Sequence, residues 1–184
     1  MRLLLLALVP ACALTTRSAP RELRYFAPEI AAELAPPGPT CARVRLGRVE
    51  PSANLRLAIA RRISPVELVP YETLRWTEPP QAYARRALVR ALFVAHPLEQ
   101  AVAGPVATLD VDVLAFEEVG HGGARVALHY ELRDDHRVLA RGTRQVERTA
   151  TTPAIEAVVV ALGGALATAS DELAERVVAA TCGP

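Results

Sequence analysis

The chain has 184 residues, with 21 basic and 20 acidic side chains and a formal net charge of +1. That length suits one domain with a sizeable core, and the balanced charge leaves no electrostatic footprint for nucleic acid. Every basic residue is arginine and aromatics are only 4% of the chain, so the core is built from many small aliphatic contacts.

Residues 1–11 read as a signal peptide. Arg2 supplies the positive start, Leu3 to Val9 a short apolar run, and Val9-Pro10-Ala11-Cys12 the end. The run is too short to span a bilayer. Aliphatic Val9 and small Ala11 ahead of Cys12 resemble a bacterial lipobox, from which Pro10 departs. The motif makes Cys12 the expected lipidated N-terminus. An ordinary signal peptide that happens to contain a cysteine is the alternative. Ala13, rather than Asp, follows the cysteine, which by the same resemblance implies the outer membrane. Residues 12–21 are the tether, and 22–184 form the single folded domain.

Leu23 to Ala27 is a short strand candidate, and Ala35-Pro36-Pro37-Gly38-Pro39 is a hard break. Ala42 to Val49 alternates Ala42, Val44 and Leu46 against Arg43, Arg45 and Arg48, as a half-buried strand does. Leu55 to Ile63 and Val66 to Glu72 flank Ser64-Pro65 as a hairpin or edge pair. Leu74-Arg75-Trp76-Thr77-Glu78-Pro79-Pro80 then turns the strands into a helix. Thr77 or Glu78 is the expected cap, Pro79 the first helical residue, and Trp76 folds back over the first turn.

The helix runs from Pro79 to about Ala95 and presents Tyr83, Ala87, Leu88, Ala91 and Leu92 on one face. Three strands follow: Leu109 to Val113, Ala124 to Leu132, and Val138 to Glu147. Their alternation places one face on a core and one in water, as in an antiparallel meander. Thr152-Pro153 opens the last helix, with apolar residues from Ile155 to Val177 and an end near Ala180. Gly163-Gly164 inside it either lets another backbone approach or marks a bend. The expected fold is α+β: a mostly antiparallel sheet with two helices packed on one face.

The order of these elements, with particular residues in them, resembles the ABC-type transport auxiliary lipoproteins, the PqiC/YmbA-like family of the bacterial envelope. The resemblance rests on the end at Cys12, the early Tyr25-Phe26, the strand at Ala42–Val49 with Ile59-Ala60-Arg61, and the strands at Leu109–Glu117 and Ala124–Asp134. Its most specific part is the corner containing Arg75, Trp76, Glu78 and Pro79. The resemblance implies a non-enzymatic accessory subunit of an MCE-type intermembrane lipid transport system. Its partners would be an MCE-domain protein with its permease and ATPase, and assembly as a homo-oligomer is a further expectation. The rival reading is an envelope lipoprotein that binds a small apolar ligand or peptidoglycan without a transporter.

The residues suggest little chemistry. His96 precedes a proline at a helix end. His121, His129 and His136, near Asp134 and Asp135, lack compact metal-ligand spacing. Ser52, Ser64 and Ser170 have no nucleophile-elbow setting. Gly120-His121-Gly122-Gly123 reads as a hairpin loop, and Asp110 and Asp112 as a solvated pair on one strand face. Glu117-Glu118 is a carboxylate pair without a defined role. The arginine faces Arg43/Arg45/Arg48, Arg61/Arg62 and Arg85/Arg86/Arg90 read as solvated, with lipid headgroups or an acidic partner as the alternative. No metal, cofactor or catalytic residue is expected. Cys41 and Cys182, in an exported protein, form a disulfide or remain two free thiols.

Overall fold

The computed structural model describes residues 21–30, 38–135 and 137–183. Its elements are β1 (Arg24–Phe26), β2 (Ala42–Pro51), β3 (Ala58–Ser64), β4 (Glu67–Trp76), α1 (Pro80–Arg90), β5 (Leu98–Gln100), β6 (Ala107–Val119), β7 (Gly123–Arg133), β8 (Val138–Thr149) and α2 (Ile155–Thr181). The strands form one open sheet. Its three antiparallel pairings, β3 with β4, β6 with β7 and β7 with β8, hold most of the register. The expected meander is the last two of these. Parallel pairings add β1 to β4, β5 to β2, and both β2 and β3 to β6. The sheet is therefore mixed, with the antiparallel part dominant.

The long strand β6 carries the architecture. One edge pairs with β7 throughout, from Thr108 opposite Arg133 to Val119 opposite Gly123. The other edge is shared by two strands laid end to end: β2 takes the first part and β3 the last, at Arg61 and Arg62. Leu109, Val111 and Val113 point inward by the two-residue period of a strand. A register shift between Val113 and Ala115 then changes the phase. After it Phe116 is the inward residue, and the two glutamates that follow fall on opposite faces.

Both helices cover the same face. α2 lies along β8, β7 and β6, α1 along β2 and β6, and the helices touch each other. Leu162, Leu166, Leu173 and Val177 of α2 are fully buried, as are Leu88 and Leu92 of the first helix and its extension. α2 is long and apolar enough to cross a membrane, but 61% of its most apolar stretch is buried in the domain. It is the core helix of this fold.

Two local expectations are corrected, both at helix starts. Pro79 is the N-cap of α1 rather than its first residue, and Pro80 occupies the first turn. No side chain caps this end. Neither proline has an N–H, which removes donors that a cap would otherwise have to satisfy. α2 starts at Ile155 with Ala154 as N-cap, so Pro153 lies outside it, and Thr152 accepts a bond from Ala154 N (3.4 Å). The end of the first helix widens into a π-helical turn, Ala91–Ala95, closed by His96 N to Ala91 O (3.1 Å).

The Gly163-Gly164 alternative is resolved in favour of close approach. The segment after β1 crosses α2 at Gly163, where an added Cβ would sit 2.3 Å from Glu29 O. α2 continues unbroken through both glycines. The segment then reaches α1, where Arg90 donates to Ile30 O (3.4 Å).

Candidate functional site: the Trp76 joint and two buried glutamates

Trp76 ends β4 and is 1% exposed. Its ring meets Tyr83 edge-on at 6.1 Å and Phe116 at 5.0 Å, while Tyr83 stacks near Phe116 at 6.3 Å. These three rings, from β4, α1 and β6, are packed together in a core that is mostly aliphatic. Aromatic pairs at such separations add about 0.5–1.5 kcal/mol each beyond the area they bury. The Tyr83 hydroxyl reaches the chain around the corner. It lies 2.8 Å from Thr77 Oγ1, accepts from Glu78 N (3.1 Å) and donates to Phe26 O (3.4 Å). Thr77 and Glu78 are thus held by a tyrosine one turn into the helix and not by capping it.

Arg75 folds back along its own strand. Its guanidinium donates to the carbonyls of Tyr71 (2.8 Å), Leu74 (2.9 Å) and Glu72 (2.9 Å). Glu78 pairs with Arg86 at 2.6 Å, and Arg86 also lies over the Tyr83 ring at 5.1 Å. The four corner residues Arg75, Trp76, Glu78 and Pro79 therefore form one joint between sheet edge and helix. Chemically the joint can hold a backbone path; it presents no activated nucleophile.

The more polar feature lies at the far end of β6. Glu117 is fully buried and Glu118 is 2% exposed. Glu117, on the face away from the helices, receives both Nε (2.5 Å) and Nη2 (3.1 Å) of Arg62, with Arg125 at 3.5 Å. That two-pronged grip satisfies the carboxylate geometrically and raises the Arg62 pKa through the hydrogen bond. Glu118, on the helix face, accepts from the Tyr71 hydroxyl (2.5 Å) and from Gly122 N (3.1 Å). Burial, then the hydrogen bond to Glu118, pushes the Tyr71 phenol up to about 12. Arg61 lies over the Tyr71 ring at 5.5 Å. Each carboxylate has its own partners and faces its own side of the sheet, so the two do not converge as an acid–base pair would. They staple the β3–β4 hairpin and the Gly120–Gly122 turn to β6.

The sequence contains one signal for this. Phe116-Glu117-Glu118-Val119 in a strand must send one glutamate inward. The other signal, the phase shift at Ala115, is not visible in it.

The remaining candidates are placed as follows. Asp110 is more than solvated: it accepts from Arg48 N (2.8 Å) and Arg133 Nη2 (2.7 Å), fixing the irregularity of β2 at Gly47. The arginine faces are also tied down: Arg43 to Glu99, Arg45 to Gly104 O, Arg85 to Gly47 O. His96 contacts Asp171 at 2.7 Å, and His129 contacts Thr143 at 3.2 Å. Among the described residues no three His, Cys, Asp or Glu are grouped to hold a metal ion. His136 and the expected anchor Cys12 lie outside the described residues. Cys41 and Cys182 are joined in a disulfide with Cα atoms 5.5 Å apart, closing a separation of 141 residues. An open groove of about 420 Å³ runs between α2 and the end of β8, lined in part by Arg148, Ala157, Val160 and Gly164.

A model of the family described as ABC-type transport auxiliary lipoprotein component matches residues 25–174. The fold is shared with the crystal structure of protein XCC0632 from Xanthomonas campestris. That chain is 23% identical, with a TM-score of 0.75 over 85% of this chain and 96% of its own. A second crystal structure, described as an uncharacterized protein, is 15% identical with a TM-score of 0.69, over 85% and 99% of the two chains. No curated protein matches the sequence.

Proposed function

The chain belongs to the ABC-type transport auxiliary lipoprotein component family, and from that membership we propose that it is a non-enzymatic accessory subunit of an intermembrane lipid transporter. The family match, which takes in the Trp76 joint and the whole β6–β7–β8 meander, is the observation that carries this reading. The side chains support it. The corner residues and the buried glutamates are consumed in holding backbone, which suits a rigid adaptor whose activity lies in what it docks against.

In this reading Cys12 is acylated and holds the domain on the periplasmic face of the outer membrane. More than one acyl chain makes such an anchor lasting. The partner is an MCE-domain protein working with a permease and an ATPase, and several copies of the chain assemble around it. Arg75 and Glu78, at the edge of the domain, stay with the joint and are not assigned to substrate. No cofactor or metal takes part.

In-cell crosslinking tests the partner: recovery of an MCE-domain protein is expected, and recovery of only peptidoglycan fragments or a small ligand would refute it. Fractionation of Cys12→Ala tests the anchor. Release to the soluble periplasm is expected, and unchanged membrane association would refute acylation at this residue.

A further inference from the structure

We propose that the tip of the β3–β4 hairpin, centred on Val66, rests in the headgroup layer of the membrane that holds the acylated N-terminus. This rests on the reading of Cys12 as the anchor. Around the tip, beside Ser64 and the exposed Glu67, three apolar side chains face water. Val66 is 94% exposed, Ile63 46% and Val69 39%. The hairpin is stapled by Arg62–Glu117 and Tyr71–Glu118, so it is held out as a firm projection.

The path of the chain selects the occupant. β1 runs parallel to β4, with Arg24 opposite Leu74. Residues ahead of β1 therefore lead back along β4 toward its start, which is the hairpin tip. Arg21 confirms the direction, since it pairs with Glu72. Cys12 lies nine residues before Arg21, a reach of about 30 Å when fully extended. Val66 lies six residues before Glu72, about 20 Å along a strand. The anchor can thus pass the tip by only about 10 Å. The headgroup layer of one leaflet is itself about 5–8 Å deep. A tether of this length therefore lets the tip lie at the bilayer surface whether it is taut or slack. The opposite end of the sheet, with Cys41–Cys182 and the turn before Val138, faces away from the bilayer.

The test uses the full chain, isolated from cell membranes and placed in vesicles of phosphatidylethanolamine and phosphatidylglycerol. An environment-sensitive dye is attached through Val66→Cys or, as the distal control, Val138→Cys. With Cys12 acylated and Cys41 bonded to Cys182, the added thiol is the free one. The dye at position 66 is expected to lose several-fold of its quenching by aqueous iodide and to gain quenching by lipids brominated near the headgroup. The dye at position 138 is expected to do neither. Equal iodide access at both positions on an acylated protein overturns the tip's role alone. A mass spectrum without acyl chains on Cys12 overturns the anchor, and the tip with it. Shielding of position 66 in soluble Cys12→Ala protein assigns the tip to a second copy of the chain and also overturns the proposal.

Discussion

The adjacent glycines of α2 give a pair of substitutions with opposite expected signs. Gly163→Ala would place a Cβ 2.3 Å from Glu29 O, a backbone atom that cannot rotate away. Relief to an ordinary contact needs about 1 Å of movement by the whole crossing segment, and overpacking of this kind costs about 1–3 kcal/mol. Gly164→Ala meets instead the guanidinium of Arg148 at 3.0 Å, the far end of an exposed, flexible side chain. Each substitution also gains about 1 kcal/mol of helix propensity. That gain cancels when the two variants are compared. Gly163→Ala is expected to be about 1–3 kcal/mol less stable than Gly164→Ala, and Gly164→Ala equal to or above the parent. Urea denaturation followed by circular dichroism measures both. Proteolysis near Glu29 should accelerate only in Gly163→Ala. Equal stabilisation by the two substitutions would refute the claim that the N-terminal segment is seated on Gly163.

Arg62→Ala leaves Glu117 buried without its main partner and should cost about 3–5 kcal/mol; a loss within the range of exposed pairs, under about 1 kcal/mol, would refute the staple. The Tyr71 pKa is raised from 10.0 to about 12 in the folded state, so the neutral phenol favours folding. Its contribution is whole below pH 10 and disappears as pH rises through about 12. Tyr71→Phe should therefore flatten the fall in stability across that window, and an unchanged slope counts against the Glu118 contact. Reduction of Cys41–Cys182, with its separation of 141 residues, should cost about 5 kcal/mol on the chain-entropy estimate; an unchanged urea midpoint in dithiothreitol would contradict it.

Much of the fold could be read because its signals are local. Alternation exposed β6, β7 and β8, and helical spacing exposed the buried faces of α1 and α2. Misreadings arose where long-range pairing decides. The parallel seating of β2 and β3 on β6 joins residues far apart in sequence, and three-residue β5 has too little pattern to recognise. The two prolines at the corner suggested a helix start one residue early, because either ring fits there. Glu117 and Glu118 were noticed as a pair but left without a role. Their burial follows from a one-residue phase shift in β6 and from partners 47 and 55 residues away. The arginine faces read as solvated, and Arg43, Arg48, Arg85 and Arg86 are exposed; what composition does not reveal is a surface carbonyl such as Gly47 O that accepts from Arg85. The Trp76 corner was legible as a joint, while the Tyr83 hydroxyl that fastens it was not.

Force offers another view of the N-terminal segment. A pull on a membrane-held N-terminus reaches β1 first, and β1 has only three residues paired to β4. It loads those bonds in shear, along the strand. If they give way, the load passes to Phe26–Ile30, held by Tyr83, Gly163 and Arg90, and the covalent stop is Cys41, joined by its disulfide to the end of α2. The chain from Arg21 to Cys41 holds about 70 Å of contour. The disulfide thus limits how far a pull on the anchor can draw out the chain, at a point just ahead of β2.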